Sequence, residues 1–310
     1  MKNIRSTKYI LIGVLVFYSS SLSAECIGVV TAGGGQGFWG DVEKGAEKAG
    51  IELGIETVIR GPVDEGNIEG QRAIIKSIMK MQCNGYVIAP NTIERREDVS
   101  QLKSKGIPTV YIDRDVGGER ISVIKTENFS AGELAGIEMA QALGGSGNVA
   151  IFRMNKDVIT TTFRENGFIK GATKGGLRII VDQYLGTTVG EARGKASEIL
   201  SKVNGIDGIF TPNESTSLAV LKSLQYFKKT NQLIHIGFDA HDSMIKALET
   251  KNMYGFIVQR PFQMGYLGVH TIYQSLQRKS IDKEIDTGVI FVNQKNIFDP
   301  DIRKLLSLKN

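Results

Sequence analysis

Apolar and polar positions alternate in blocks along most of the chain. Short runs rich in β-branched residues are each followed by a stretch of helical length whose apolar residues return with the period of an amphipathic helix. In the first half the runs predict strands at 27–31, 55–60, 85–90, 108–112 and 121–125, and the stretches between them predict helices at 38–53, 68–82 and 93–105. The alternation then repeats, with strands near 148–153, 177–182, 207–211, 233–238 and 254–259 and helices at 128–143, 160–174, 189–203, 214–228, 241–251 and 261–278. This strand–helix–strand grammar predicts a parallel sheet with helices on both faces, and its repetition predicts an α/β chain of two successive doubly wound units. In such sheets ligands bind beyond the carboxyl ends of the strands, so function is to be sought in the residues that follow each strand.

The first two dozen residues stand outside this pattern. Lys2, Arg5 and Lys8 form a basic start, Tyr9 to Tyr18 is a short apolar run, and Ser19 to Ala24 offers small residues for cleavage. That is the layout of a secretory signal, and a run of about 10 residues is half of what a bilayer span requires. Glu25 directly precedes Cys26, which argues against a lipoprotein signal, so a free export product cleaved near Ala24 is expected. Both cysteines, Cys26 and Cys83, then belong to the mature chain, each just ahead of a predicted strand. An oxidising compartment permits a bridge between them, and two separate buried thiols are the alternative that the sequence leaves open.

At 310 residues the chain suits two lobes better than one, and 41% hydrophobic with 23% charged residues is the balance of a globular protein. Loss of the signal removes three basic residues and lowers the formal charge from +5 to +2. No Lys/Arg block remains in the mature chain, so nucleic acid is not an expected partner.

Reading the predicted strand ends gives one consistent set of candidates. Gln36, Phe38 and Trp39 follow the first strand, Asn91 the third, and Asp113 with Arg114 the fourth. In the second unit Arg164 lies in the helix after 148–153, and Asn213, Asp239 and Gln259 follow later strands. Aromatic faces pack on the C–H face of a sugar ring, while carboxylate, amide and guanidinium groups bond adjacent hydroxyls in a planar, bidentate manner. Taken singly, an Asp-Arg pair at a strand end reads as a local ion pair, and a Phe-Trp pair opening a helix reads as core. Their joint placement at equivalent strand ends carries the functional reading.

Those fragments, in this order and spacing, resemble the periplasmic sugar-binding proteins of the ribose/galactose type. The resemblance rests on Gln36-Gly37-Phe38-Trp39, Ile112-Asp113-Arg114, Thr126-Glu127-Asn128, Thr161 to Phe168, Pro212-Asn213-Glu214, Gly237-Phe238-Asp239 and Val258-Gln259-Arg260-Pro261, and spans essentially the whole mature chain. It implies a type I periplasmic-binding fold: two doubly wound parallel-sheet lobes joined by three crossovers, closing on a ligand between them. Mapped here, the N-terminal lobe takes 25–127 plus 260–288 and the C-terminal lobe 128–259 plus 289–310. The implied role is capture of a neutral monosaccharide-like ligand, as a monomer without a cofactor, and delivery to an ABC permease. The alternative is a sensor of the autoinducer-2 or trimethylamine N-oxide type that signals to a membrane histidine kinase. Gln36 stands where the family carries Asn, and Thr187 where ribose binders place an aromatic, which puts ribose itself in question.

Other chemistries fit less well. Gly35 to Gly40 formally matches G-x-G-x-x-G, but Phe38 and Trp39 crowd a turn that must approach phosphate closely, and the second strand ends in Ile59-Arg60 with no acidic ribose ligand. His235 and His270 fall inside predicted elements and read as structural, Asp239, His241 and Ser243 are too close in sequence to form a triad, and no Cys/His cluster has zinc spacing. A binding protein, not an enzyme, is expected. Asp113 and Asp239 balance Arg114 and Arg164, and this balance predicts an uncharged ligand.

Overall fold

The computed structural model describes residues 26–35 and 37–306; the expected signal segment, Gln36 and the last four residues of the expected C-terminal lobe lie outside the described residues. The described residues build two six-stranded sheets. The first contains β1 (Cys26–Val30), β2 (Glu56–Arg60), β3 (Gly85–Ile88), β4 (Thr109–Ile112), β5 (Ser122–Lys125) and β11 (Glu284–Asp286), in the order β11-β5-β4-β3-β1-β2. The second contains β6 (Gly147–Arg153), β7 (Leu177–Tyr184), β8 (Gly208–Phe210), β9 (Ile234–Phe238), β10 (Gly255–Val258) and β12 (Ile290–Asn293), in the order β12-β10-β9-β8-β6-β7. The two orders are the same pattern twice, so β4 and β9 hold equivalent places. Every pairing is parallel except that of β12 with β10.

Strand composition explains the layering. β1, β3, β4 and β10 are buried at every position, as central parallel strands covered on both faces must be, whereas the edge strands β2 and β7 are half exposed. Alternate residues of the first sheet enter two cores. Ile27, Val29, Val87 and Val110 pack with α1 (Phe38–Leu53) and α9 (Pro261–Leu276), while Val30, Tyr86, Ile88 and Tyr111 pack with α2 (Ile68–Met79) and α3 (Arg95–Ser104). The second sheet lies between α4 (Asn128–Ala142) with α5 (Ile159–Lys174) on one face and α6 (Val189–Lys202), α7 (Glu214–Tyr226) and α8 (Asp242–Glu249) on the other.

The chain passes from one sheet to the other at 126–127, 259–260 and 287–289, each time from the carboxyl end of a strand. The third passage explains the antiparallel strand. β11 ends on the side where all parallel strands end, so after three residues β12 starts there and must run back. This strand departs from the expected all-parallel sheet. β11, β12 and the short α10 (Pro300–Leu305) are absent from the sequence-predicted elements. The other boundaries move by a few residues: the helix expected over 241–251 is Asp242–Glu249, for example, and the strand expected over 85–90 stops at Ile88 because Pro90 has no N–H for a ladder. Cys26 and Cys83 are joined by a disulfide with a Cα–Cα distance of 4.6 Å, which the parallel neighbourhood of β1 and β3 makes geometrically natural.

Candidate functional site

A cleft of about 660 Å³ lies between the carboxyl ends of the two sheets. Phe38, Trp39, Asn91, Asp113, Arg114, Arg164, Asn213, Asp239 and Gln259 all line it, so the structure brings together every sequence-nominated candidate among the described residues.

The two aspartates are placed alike. Asp113 follows β4 and Asp239 follows β9, both in the left-handed region with φ of 63° and 67°, and each backbone N–H bonds the next strand, to Ile124 O at 2.9 Å and to Ile257 O at 2.8 Å. Asp tolerates that conformation better than most residues, and strain of this kind persists where a site requires it. Arg114 pairs with Asp113 through Nε at 3.0 Å, so the local ion pair and the cleft position are both real. Its other end meets Glu65, which also accepts the Trp39 indole N–H at 2.9 Å. Trp39 is thus core on one side and cleft wall on the other. A Cβ on Gly33 would lie 2.9 Å from the Trp39 ring, so this glycine-rich turn makes room for an indole and not for a phosphate.

On the opposite wall Arg164 is almost fully buried. Its Nε donates to Asn128 Oδ1 at 2.7 Å and its Nη1 to Pro212 O at 3.0 Å, and its guanidinium lies 4.0 Å from the centre of the Phe238 ring. Asp239 accepts from Gln259 Nε2 at 2.7 Å and from the Glu214 N–H at 3.2 Å, with Arg164 Nη1 at 3.8 Å. Asn213 caps α7 by accepting from the Thr216 N–H at 3.3 Å. Ser217 donates to Asn213 O at 2.7 Å and accepts the Phe238 N–H at 3.0 Å, locking the ends of β8 and β9 together. Gln259 Oε1 and Asn91 Oδ1 are buried and find no partner among the described residues.

Sequence reasoning missed three residues of this site. Glu65 lies five positions beyond β2, Glu214 is the residue after Asn213, and Gln71 sits fully buried on α2 beneath the cleft. Gln71 donates to Thr31 O at 3.0 Å and Ala89 O at 2.7 Å and accepts the Asn91 N–H at 3.1 Å. The nominated charges alone therefore do not describe the cleft. Glu65 and Glu214 add two carboxylates inside it, and the exposed Asp64 and Asp157 stand at its mouth. Burial opposes ionisation of Glu65, yet Arg114 and the Trp39 N–H hold its carboxyl below the ordinary value. Burial pushes Asp113 up to about 6 against the pull of Arg114, and raises Asp239 against that of Arg164.

Two doubly wound lobes with a polar, aromatic-walled cleft between their strand ends define a class of solute-binding proteins. The chain matches the family described as periplasmic binding protein domain over residues 27–280, and it belongs to that family. It is 25% identical to a ribose import binding protein of Haemophilus influenzae over 93% of this chain and 98% of that protein. To a D-allose-binding periplasmic protein of Escherichia coli it is 23% identical, over 84% and 86% respectively. Among solved structures, a periplasmic component of an ABC-type sugar transport system from Hahella chejuensis superposes with a TM-score of 0.81 at 30% identity, covering 87% of this chain and 100% of that one. An ABC transporter solute-binding protein from Agrobacterium vitis with bound D-fucose gives 0.82 at 26% identity, covering 91% and 99%.

Proposed function

We propose that the protein is exported, with the signal segment removed near Ala24, and captures a neutral monosaccharide between its lobes for delivery to an ABC permease. The observation that carries this is the convergence of groups from both lobes on one cleft: the Phe38 and Trp39 faces and the Asp113–Arg114 pair from one side, the Arg164–Asp239–Gln259 cluster from the other. Aromatic faces opposed to planar polar groups suit a ring that bears several hydroxyls. The unpartnered Gln259 Oε1 and Asn91 Oδ1 offer acceptors that such hydroxyls satisfy. Gln36 also belongs to the proposed ligand set.

In this reading the protein works as a monomer in the periplasm and has no catalytic role. Residues 25–127 with 260–288 and 128–259 with 289–310 are the bodies that move. The inside of the cleft holds four carboxylates against two guanidiniums, so an anionic ligand meets net repulsion. A trimethylammonium-type ligand would want a cage of several aromatics, and among the described residues Phe38 and Trp39 are the only aromatics that line the cleft, which disfavours the trimethylamine N-oxide form of the sensing alternative. None of the four relatives above is described as a sensor component.

The test is calorimetric titration of the mature protein with ribose, D-allose, D-fucose and glucose, beside the corresponding uronic acids and trimethylamine N-oxide. At least one neutral aldose is expected to bind at micromolar or tighter Kd. Tight binding of an acidic sugar or the amine oxide, with every neutral aldose failing, overturns the proposal.

A further inference from the structure

Of the four carboxylates inside the cleft, three are held by partners within the protein. Asp113 has Arg114, Glu65 has Arg114 and Trp39, and Asp239 has Gln259, Arg164 and the Glu214 N–H. Glu214 is different. Among the described residues no hydrogen bond or ion pair reaches its carboxyl, although it is only partly exposed and lines the cleft. It projects from the first turn of α7 in the second lobe toward the turn that opens α1 in the first. A Cβ on Gly37 would stand 3.3 Å from Glu214 Oε2, and Gly37 itself has a φ of 73° that favours glycine. Glu214 therefore lies at the seam where the two lobes meet, and opening the lobes returns its carboxyl to water.

We propose that Glu214 meets the captured ligand as a carboxylic acid, donating its O–H to a ligand oxygen, so that closure takes up one proton from solvent and capture strengthens as pH falls. The inference rests on the sugar reading and names the protonation state in which the site reads it. A hydroxyl-rich ligand offers many acceptor oxygens, and a neutral acid donates where a carboxylate only accepts. The charged groups that share the cleft are Asp239 at the end of β9, Arg164 on α5, Asp113 and Arg114 after β4, Glu65 and Asp64 after β2, and Asp157 before α5. Both guanidiniums are already engaged by other carboxylates. Burial, with the like charge of Asp239 beside it, pushes the Glu214 carboxyl up to about 7 from the ordinary 4.5.

Because the closed form holds the proton more tightly than the open one, affinity is full below the open-form value. It falls as pH rises toward about 7 and is level above that. The Kd is expected to rise by about tenfold or more between pH 5.5 and 7.5.

The experiment is calorimetric titration with whichever of the four aldoses binds tightest, from pH 5.5 to 8.0, in buffers of different ionisation enthalpy that count the protons exchanged. The wild type should show the falling affinity and uptake approaching one proton near pH 6. Glu214→Gln, whose amide keeps a donor but cannot titrate, should bind with a flat profile and without the uptake. A flat wild-type profile, an affinity that strengthens with rising pH, or a Glu214→Gln profile that matches wild type through Asp113 or Asp239 each overturns the inference while the sugar reading stands. Should the variant fail to fold, a wild-type titration without proton uptake still overturns the inference. Absence of binding by every aldose at every pH overturns both.

Discussion

Gln71 illustrates how much of this site is decided one layer below it. A single amide on α2 joins the end of β1, the end of β3 and the backbone of Asn91, three segments that meet at the cleft floor. Gln71→Ala leaves two carbonyls and an N–H buried without partners, so the variant should lose about 2–4 kcal/mol of stability and bind sugar more weakly. Urea unfolding followed by titration measures both, and a loss below about 1 kcal/mol would show that water replaces the amide. In the sequence Gln71 looks like the polar face of a helix, since only the packed sheet shows that this face points inward. Glu65 is hidden for a related reason: it lies in a loop several residues past its strand and reaches the cleft only because that loop folds back toward Trp39. Asp113 and Asp239 were legible because each directly follows its strand, a position that topology alone assigns to the cleft.

At the scale of elements, glycines let the helices that back each wall of the cleft pack in close contact. α4 and α5 cross in close contact through Gly132, Gly136, Gly167 and Gly171; a Cβ at Gly132 would stand 1.9 Å from Arg164 O. α1 and α9 meet in the same way, where a Cβ on Gly45 would stand 1.9 Å from Phe262 O. Gly132→Val should force α5 outward, costing about 1–3 kcal/mol of stability as an overpacked contact does. It should also weaken sugar binding several-fold through the displaced Arg164, read by titration beside urea unfolding, whereas wild-type values for both would show that the crossing does not position the arginine. The long helices were readable from their period, and α1 from 38 to 53 is bounded by Gly37 and by Gly54 in a left-handed cap. β11 and β12 were not. The first is three residues with exposed ends, the second an edge strand of four, and neither carries enough alternation to stand out from a loop.

In the molecule as a whole, the passages between lobes also belong to the cleft. The first and third passages run side by side, with the Thr287 N–H bonded to Lys125 O at 2.9 Å and Asp286 Oδ1 accepting from the N–H groups of Glu127 at 3.0 Å and Gly288 at 2.9 Å. The second carries Gln259, whose amide reaches Asp239, so a group at the cleft is itself part of a connecting segment. Gly288, with a φ of 68°, offers backbone freedom at the third passage. A ligand that bonds both walls and Gln259 should favour the form in which the lobes are together, to the extent of its differential affinity for the two forms. If closure traps the sugar, small-angle scattering with the tightest-binding aldose at saturation should give a smaller radius of gyration than without it, with the ligand-bound profile matching the structure described above; a profile unchanged by saturating sugar would show that the lobes do not close on it.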